Sequence, residues 1–444
     1  MGLFALMHGL LFPPVLSTRS FRTVSFLMVY LLLITMNSGN SAELPNENKI
    51  FKQSVKTVQL FKDGFELSIP VIQLNSQEQI KLSFDDLDSE VRRYRYTIIH
   101  CEADWTTTPD LMVSEYIDGY REENIESFAY SYNTTVKYIH YTLAFPTATM
   151  RPKISGNFIL LVYDDEPSNV VMACRFMVIE NSPVTIDGKV SQSARMEDRY
   201  TKQQLDFVVH LNGFRVMDVG REIKIVIQQN GRWDNLIRVT KPRFIRGDEL
   251  DYRYDENIVF NGGNQFRRFD TKSLLYQSER VGRISYDTSF QVFLLDDKPR
   301  SYSKYVFEKD LNGRFYIKND EHAENSDIEA DYAWVHFFLP YPAMITSGQF
   351  YLLGALTSWN LDESNRMSFN FSRKGYELSL LLKQGYYNYL YVLKDKVKPA
   401  GDESLIEGSF WETENEYTIF FYFHETGSSY DRLIGMNFLN IIPQ

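Results

Sequence analysis

From residue 54 onward, short runs of alternating apolar and polar residues are separated by turn-forming residues. A repeat of two predicts strands with one face buried, whereas an amphipathic helix repeats every 3.6 residues. Ser54 to Phe61 alternates and is followed by the turn pair Asp63-Gly64. Further strands are predicted at Arg93–His100, Val136–Phe145, Asn157–Tyr163 and Val170–Val178, with Lys153 to Gly156 supplying the turn before Asn157. After the loop signal Asn181-Ser182-Pro183 come Val184–Val190, Gln204–His210 and Glu222–Gln228, the last ending at the hairpin pair Asn230-Gly231. Polar, loop-rich stretches at 296–299 and 321–327 precede a third set: Asp331–Leu339, Gly348–Gly354, Tyr376–Leu382, Tyr387–Leu393 and Tyr417–Phe423.

Many short strands at this spacing, without a helical stretch, predict an all-β chain of tandem antiparallel β-sandwiches, immunoglobulin-like or E-set-like, in three domains. The expected boundaries are an N-terminal sandwich at 43–182, a middle sandwich with a loop-rich extension at 183–330, and a C-terminal sandwich at 331–444. Residues 1–42 read as a secretory signal peptide: Arg19 and Arg22, an apolar run from Val24 to Met36, then small and polar residues to Ala42. That run is shorter than the roughly 20 residues a membrane helix needs, so direct membrane insertion is not expected and the mature chain is placed in the periplasm or beyond.

Composition sharpens this picture in two places. Aromatics make up 15% of the 444 residues, a bias toward strands and contact surfaces. The formal net charge is −11, and residues 1–42 hold two arginines and no acid, so the remainder is more negative still. Such a chain lacks the clustered cations needed to neutralise phosphates, which excludes nucleic acid as a partner.

Candidate chemistry is sparse. The seven histidines show no metal-ligand spacing, and HExxH, CxxC and GxSxG motifs are absent. The acidic run Phe84 to Glu90 lacks the central glycine of a calcium loop. His100 and Cys101 are neighbours on a strand and therefore face opposite ways. No catalytic residue, metal or cofactor is expected. Cys101 and Cys174 leave two readings open, a bridge or two buried thiols. Aromatic and arginine residues in loops nominate partner-binding positions: Tyr116, Tyr120, Arg232, Trp233, Phe266, Arg267, Tyr430 and Arg432.

Phe350 to Trp359, Met367 and Tyr376 to Tyr389 resemble the small β-sandwich modules that bind starch and glycogen, as in AMP-activated kinase β-subunits. The resemblance implies that Trp359 matches a sugar-stacking tryptophan. The second aromatic of that platform is missing from 395–401, so carbohydrate is the alternative rather than the expected ligand.

A wider set of segments resembles the plug protein family of the type IX secretion system in Bacteroidota. They include Ser83 to Asp88, His100 to Trp105, Glu115 to Tyr120, Tyr130 to Thr135, Arg151 to Asn157, Gln229 to Asn235, Phe260 to Asn264, Tyr276 to Arg280, Leu382 to Asn388 and Ser429 to Gly435. That resemblance implies a periplasmic, non-catalytic protein that closes the periplasmic opening of a large outer-membrane β-barrel translocon of the SprA or Sov type. The alternative is an envelope carbohydrate-binding protein acting through its C-terminal sandwich.

Overall fold

The computed structural model describes residues 45–88, 90–321, 323–396 and 400–440. The expected signal segment lies outside them. Among the described residues no helix is long and apolar enough to cross a membrane.

The chain is all-β, as the alternation predicts. In the first sandwich one sheet has the order Lys49–Ile50, Val170–Ile179, Gly156–Asp164, Tyr94–Cys101, Glu123–Asn124, with Val71–Gln73 joined in parallel to the second of these. The facing sheet runs Val55–Lys62, Ile80–Asp86, Ile139–Phe145, Ser127–Tyr130. Period-two burial explains the packing: Tyr94, Tyr96 and Ile98 point inward and meet Leu82, Phe84, Tyr141 and Phe158.

The second and third sandwiches are nested. Ile223–Gln229 pairs along its length with Glu416–Phe423, which pairs in turn with Arg432–Asn440, so the last strands return to the second sandwich. Arg267–Asp270 and Phe315–Ile317 both pair with Gly385–Asp395, and Phe290–Leu294 lies parallel to Tyr332–Pro340. The third sandwich is thus built from 267–395 and interrupts the second. This corrects the expected boundary between 330 and 331. Alternation identifies a strand, but its partner is fixed by tertiary packing that a local pattern does not carry.

The units share cores. The outer face of the 49–179 sheet, with Cys101, Trp105, Ile159, Leu161 and Met177, packs on Val226, Phe420, Tyr422 and Leu433 of the second sandwich. Phe266, Tyr351, Leu353, Trp359 and Leu390 form a further cluster against Trp233, where the third sandwich meets the second.

Candidate partner-binding surface

Most residues nominated for contact with a partner are instead inside the molecule. Tyr116 is buried in the first core, its ring 6.3 Å from that of Phe158. The Arg232 guanidinium is buried and donates to Asp234 at 3.0 and 2.8 Å, to Glu403 at 2.9 Å and to the Gly401 carbonyl at 3.0 Å. Phe266 is buried edge-on to Trp359. Arg267 bridges Asp297 and Glu407 at 3.0 Å each. Trp233 is half-buried, edge-on to Trp105 at 5.1 Å, with the Arg175 guanidinium 4.6 Å over both rings. Arg432 is paired with Glu180, Tyr430 sits half-buried beside His100, and Tyr120 is exposed. Trp359, the tryptophan matched to sugar stacking, is buried; a β-carbon on Gly313 would stand 2.2 Å from its ring. At Arg232, Trp233, Phe266 and Trp359 the arginine–carboxylate forks and edge-on aromatics typical of protein interfaces are spent on joints between the sandwiches, whereas Tyr116 and Arg267 pack within a single sandwich.

The cysteines are both free and buried. Their strands are separated by Gly156–Asp164, and the thiols face different cores, Cys101 outward and Cys174 between the sheets. No bridge can form across that strand. Burial pushes both thiols up to about 12.

Three charged clusters hold the joints. Between the first and third sandwiches, Asp85 Oδ2 accepts from Lys383 Nζ and the Tyr332 hydroxyl, each at 2.6 Å, and Oδ1 meets His140 Nδ1 at 2.6 Å. Burial alone would raise this carboxyl; the Lys383 ammonium and the His140 hydrogen bond outweigh it and hold Asp85 below its usual range. Among the described residues His140 Nε2 has no hydrogen-bond partner, its nearest charged neighbour being Asp327 at 3.8 Å, so no hydroxyl or thiol is hydrogen-bonded to the imidazole. The second and third sandwiches are joined by Arg232 with Asp234 and Glu403.

Between the first and second, Asp431 accepts from Lys224 Nζ at 2.8 Å through both oxygens and from the Ala103 amide at 2.9 Å, and lies 2.9 Å from His424 Nδ1. Glu102 accepts from the Asp431 amide and the Thr108 hydroxyl. Glu102, His424 and Asp431 converge closely enough to ligate a cation. The Lys224 ammonium already stands where that cation's charge would be needed.

A group of neighbouring loops exposes apolar side chains. The 298–309 loop exposes Val306, Phe307 and, at 99% accessibility, Tyr302. Its base is fixed. The Arg300 guanidinium donates to Glu407 at 2.6 Å, and Gln265 donates to the Tyr305 hydroxyl at 3.0 Å. The Phe266 amide donates to Asp310 at 2.6 Å. The Tyr305 ring lies 5.7 Å from that of Phe410 at a tilt of 39°, and the adjacent Trp411 amide donates to the Tyr200 carbonyl, so the loops bearing Tyr200, Tyr302 and Trp411 converge. Met196 and Tyr200 are exposed. Lys298, Lys304 and Lys309 are exposed and form no ion pair among the described residues, while Glu308 is neutralised by Arg268 at 3.0 Å. The loop lacks the alternation that marks a strand. The signal was lysines interleaved with aromatics in an otherwise acidic chain.

Residues 55–180 match the family described as type 9 secretion system plug protein, first domain. Among solved structures, the chain is similar to a hypothetical protein from Parabacteroides merdae, at 34% identity over 89% of this chain and 99% of that one, with a TM-score of 0.86. The C-terminal domain of the Streptococcus agalactiae AgI/II polypeptide BspA is matched over 86% of this chain and 99% of that one, at 7% identity and a TM-score of 0.14. No curated protein matches the chain.

Proposed function

This chain belongs to the type 9 secretion system plug protein family, whose first domain its residues 55–180 form, and from that premise we propose that it closes the periplasmic opening of a SprA- or Sov-type outer-membrane translocon by protein–protein binding. The reading places it in the periplasm, held at the outer membrane through its partner, with no cofactor.

The observation that carries the reading is the pairing of tightly joined sandwiches with one group of loops bearing exposed aromatics. Shared cores and buried charges at every joint oppose hinge motion. Exposed Tyr200, Tyr302 and Phe307 and half-buried Trp411, with unpaired Lys298, Lys304 and Lys309 on the Tyr302 loop, have the composition of a docking patch. Tyr120 and Tyr430, nominated from sequence, remain reachable as further contacts. Trp359, the residue matched to sugar stacking, is buried, which supports this reading over the carbohydrate alternative of the C-terminal sandwich.

A photo-crosslinking amino acid at Tyr302 tests this in the native cell. Crosslinking to the large barrel is expected, together with increased outer-membrane permeability to large antibiotics when the gene is deleted. Normal permeability in the deletion strain would rule out closure, and a crosslink only to other proteins would rule out these loops as the contact.

A further inference from the structure

We propose that the groove between the first and third sandwiches is a binding site for an extended peptide segment carrying a carboxylate. The groove has a volume of about 400 Å3 and is lined by Phe51 and Lys56 from the first sandwich and by Trp334, Leu356, Ser379 and Leu381 from the third. That size lies within the roughly 300–1,000 Å3 of small-ligand sites.

Three observations converge on such a ligand. The first is a free strand edge. Val55–Lys62 is the terminal strand of its sheet, so one side of its backbone has no strand partner within the sheet. An unpaired edge is the standard docking rail for an extended chain.

The second is a charge without an answer. Lys56 is half-buried on that strand and lines the groove, yet has no hydrogen bond or ion pair among the described residues. Burial lowers its affinity for its proton. Neighbouring Lys52, by contrast, is satisfied by Asp86 and Asp88 at 2.9 Å each. A desolvated ammonium is costly alone and becomes favourable when a carboxylate enters beside it.

The third is an apolar wall at side-chain spacing. Trp334 and Leu381 are directly opposed on neighbouring strands, so they stand side by side on the outer face of their sheet. Ser379 precedes Leu381 by two residues on the same strand and lies on the same face. Trp334 is 39% exposed and Phe51 43% exposed, which leaves two aromatic surfaces available to a peptide's alternate side chains. A glycan would use the tryptophan face and the polar groups, but it would need neither the strand edge nor the lone ammonium; the peptide accounts for all three observations. The site is separate from the aromatic loops assigned to pore closure and stands or falls independently of them.

The test pans a random dodecapeptide phage library on the full chain. The recovered peptide, fluorescently labelled, is then titrated against wild type, Lys56→Met and Trp334→Ala by fluorescence polarisation. Acid-containing peptides are expected, binding roughly tenfold or more weaker to each variant, in line with loss of a hydrogen bond to a charged group. Lys56→Met is expected to melt no lower than wild type, because it removes an unpaired, desolvated charge; this keeps lost binding distinct from lost folding. Three results would each overturn the proposal: no enrichment, enrichment of sequences without acids, or equal binding by Lys56→Met. So would saturable binding of maltoheptaose that depends on Trp334 while no peptide binds.

Discussion

Asp85 on the first sandwich and Lys383 on the third lie 2.6 Å apart across the joint, both almost wholly excluded from solvent. Their partners, Tyr332 and His140, are buried as well. A buried pair adds little over a well-packed apolar pair, but removal of one member strands the other. Lys383→Met is therefore expected to lose roughly 3–5 kcal/mol in denaturant unfolding. The double variant Lys383→Met with Asp85→Asn should recover a substantial part of that loss. Equal stability of the single and double variants would mean that the stranded charge is not the cause.

Gly313 marks how tightly the joint around Trp359 is closed. Its φ is +80°, in the left-handed region, and an added β-carbon would meet Trp359 at 2.2 Å and Phe266 at 2.5 Å. Gly313→Ala combines left-handed strain of about 1–2 kcal/mol with overpacking of about 1–3 kcal/mol. A drop in stability of that combined order is expected in urea unfolding. A neutral result would show that Trp359 can swing out, and would return it to consideration as a surface residue.

The strands and the all-β class were legible because burial imposes a period of two on each strand, as at Tyr94, Tyr96 and Ile98. The nesting was not legible. Nothing local in Ile223–Gln229 says that it pairs with Glu416–Phe423, almost 200 residues away, because both runs read simply as buried strand. The candidate site was misread for a related reason. Arg232 and Phe266 sit in loops rich in turn residues, and the sequence does not distinguish a loop that faces water from one clamped by Glu403 or Trp359. Tyr302 lay in a segment with no pattern at all, where exposure rather than periodicity is the informative property.

The thiols offer a direct check on the first sandwich. With Cys101 and Cys174 buried in different cores and pushed up to about 12, neither presents a thiolate near neutral pH. Ellman's reagent should react negligibly with the native protein and should titrate both thiols once it is denatured without reductant. One disulfide per chain under those conditions would contradict the strand order.

The Glu102–Asp431 joint should give stability a pH dependence of unusual sign. Burial and the interaction with Asp431 raise Glu102 from its ordinary 4.5 to about 7. Between those values the folded state holds a proton that the unfolded chain has released, so this group's contribution falls as pH rises from about 4.5 to about 7. His100 opposes it. Burial lowers its value from 6.5 to about 4, so its contribution is lost as pH falls through that interval. The two must be separated by substitution. The stability of wild type relative to Glu102→Gln, measured by urea unfolding from pH 4.5 to 8, should decline with rising pH and level off above about 7. A flat difference would show that Glu102 titrates normally.

Interior and exterior aromatic–arginine chemistry can be told apart by what each costs when removed. Arg232 is enclosed by Asp234, Glu403 and the Gly401 carbonyl, so Arg232→Ala leaves two buried carboxylates unanswered and should cost roughly 3–5 kcal/mol. Tyr302 touches little, and Lys304 is unpaired and exposed. Tyr302→Ala combined with Lys304→Glu should therefore shift stability by no more than about 0.5 kcal/mol. If that loop docks on the barrel, the same pair of changes should weaken co-purification with it at least tenfold, since exposed aromatics at an interface centre commonly contribute about 2 kcal/mol or more. Arg232→Ala, at temperatures where it remains folded, should bind the barrel normally. The reverse pattern, with Arg232→Ala failing to bind while folded and the Tyr302 variant unaffected, would move the contact from the lysine-bearing loop to the joint.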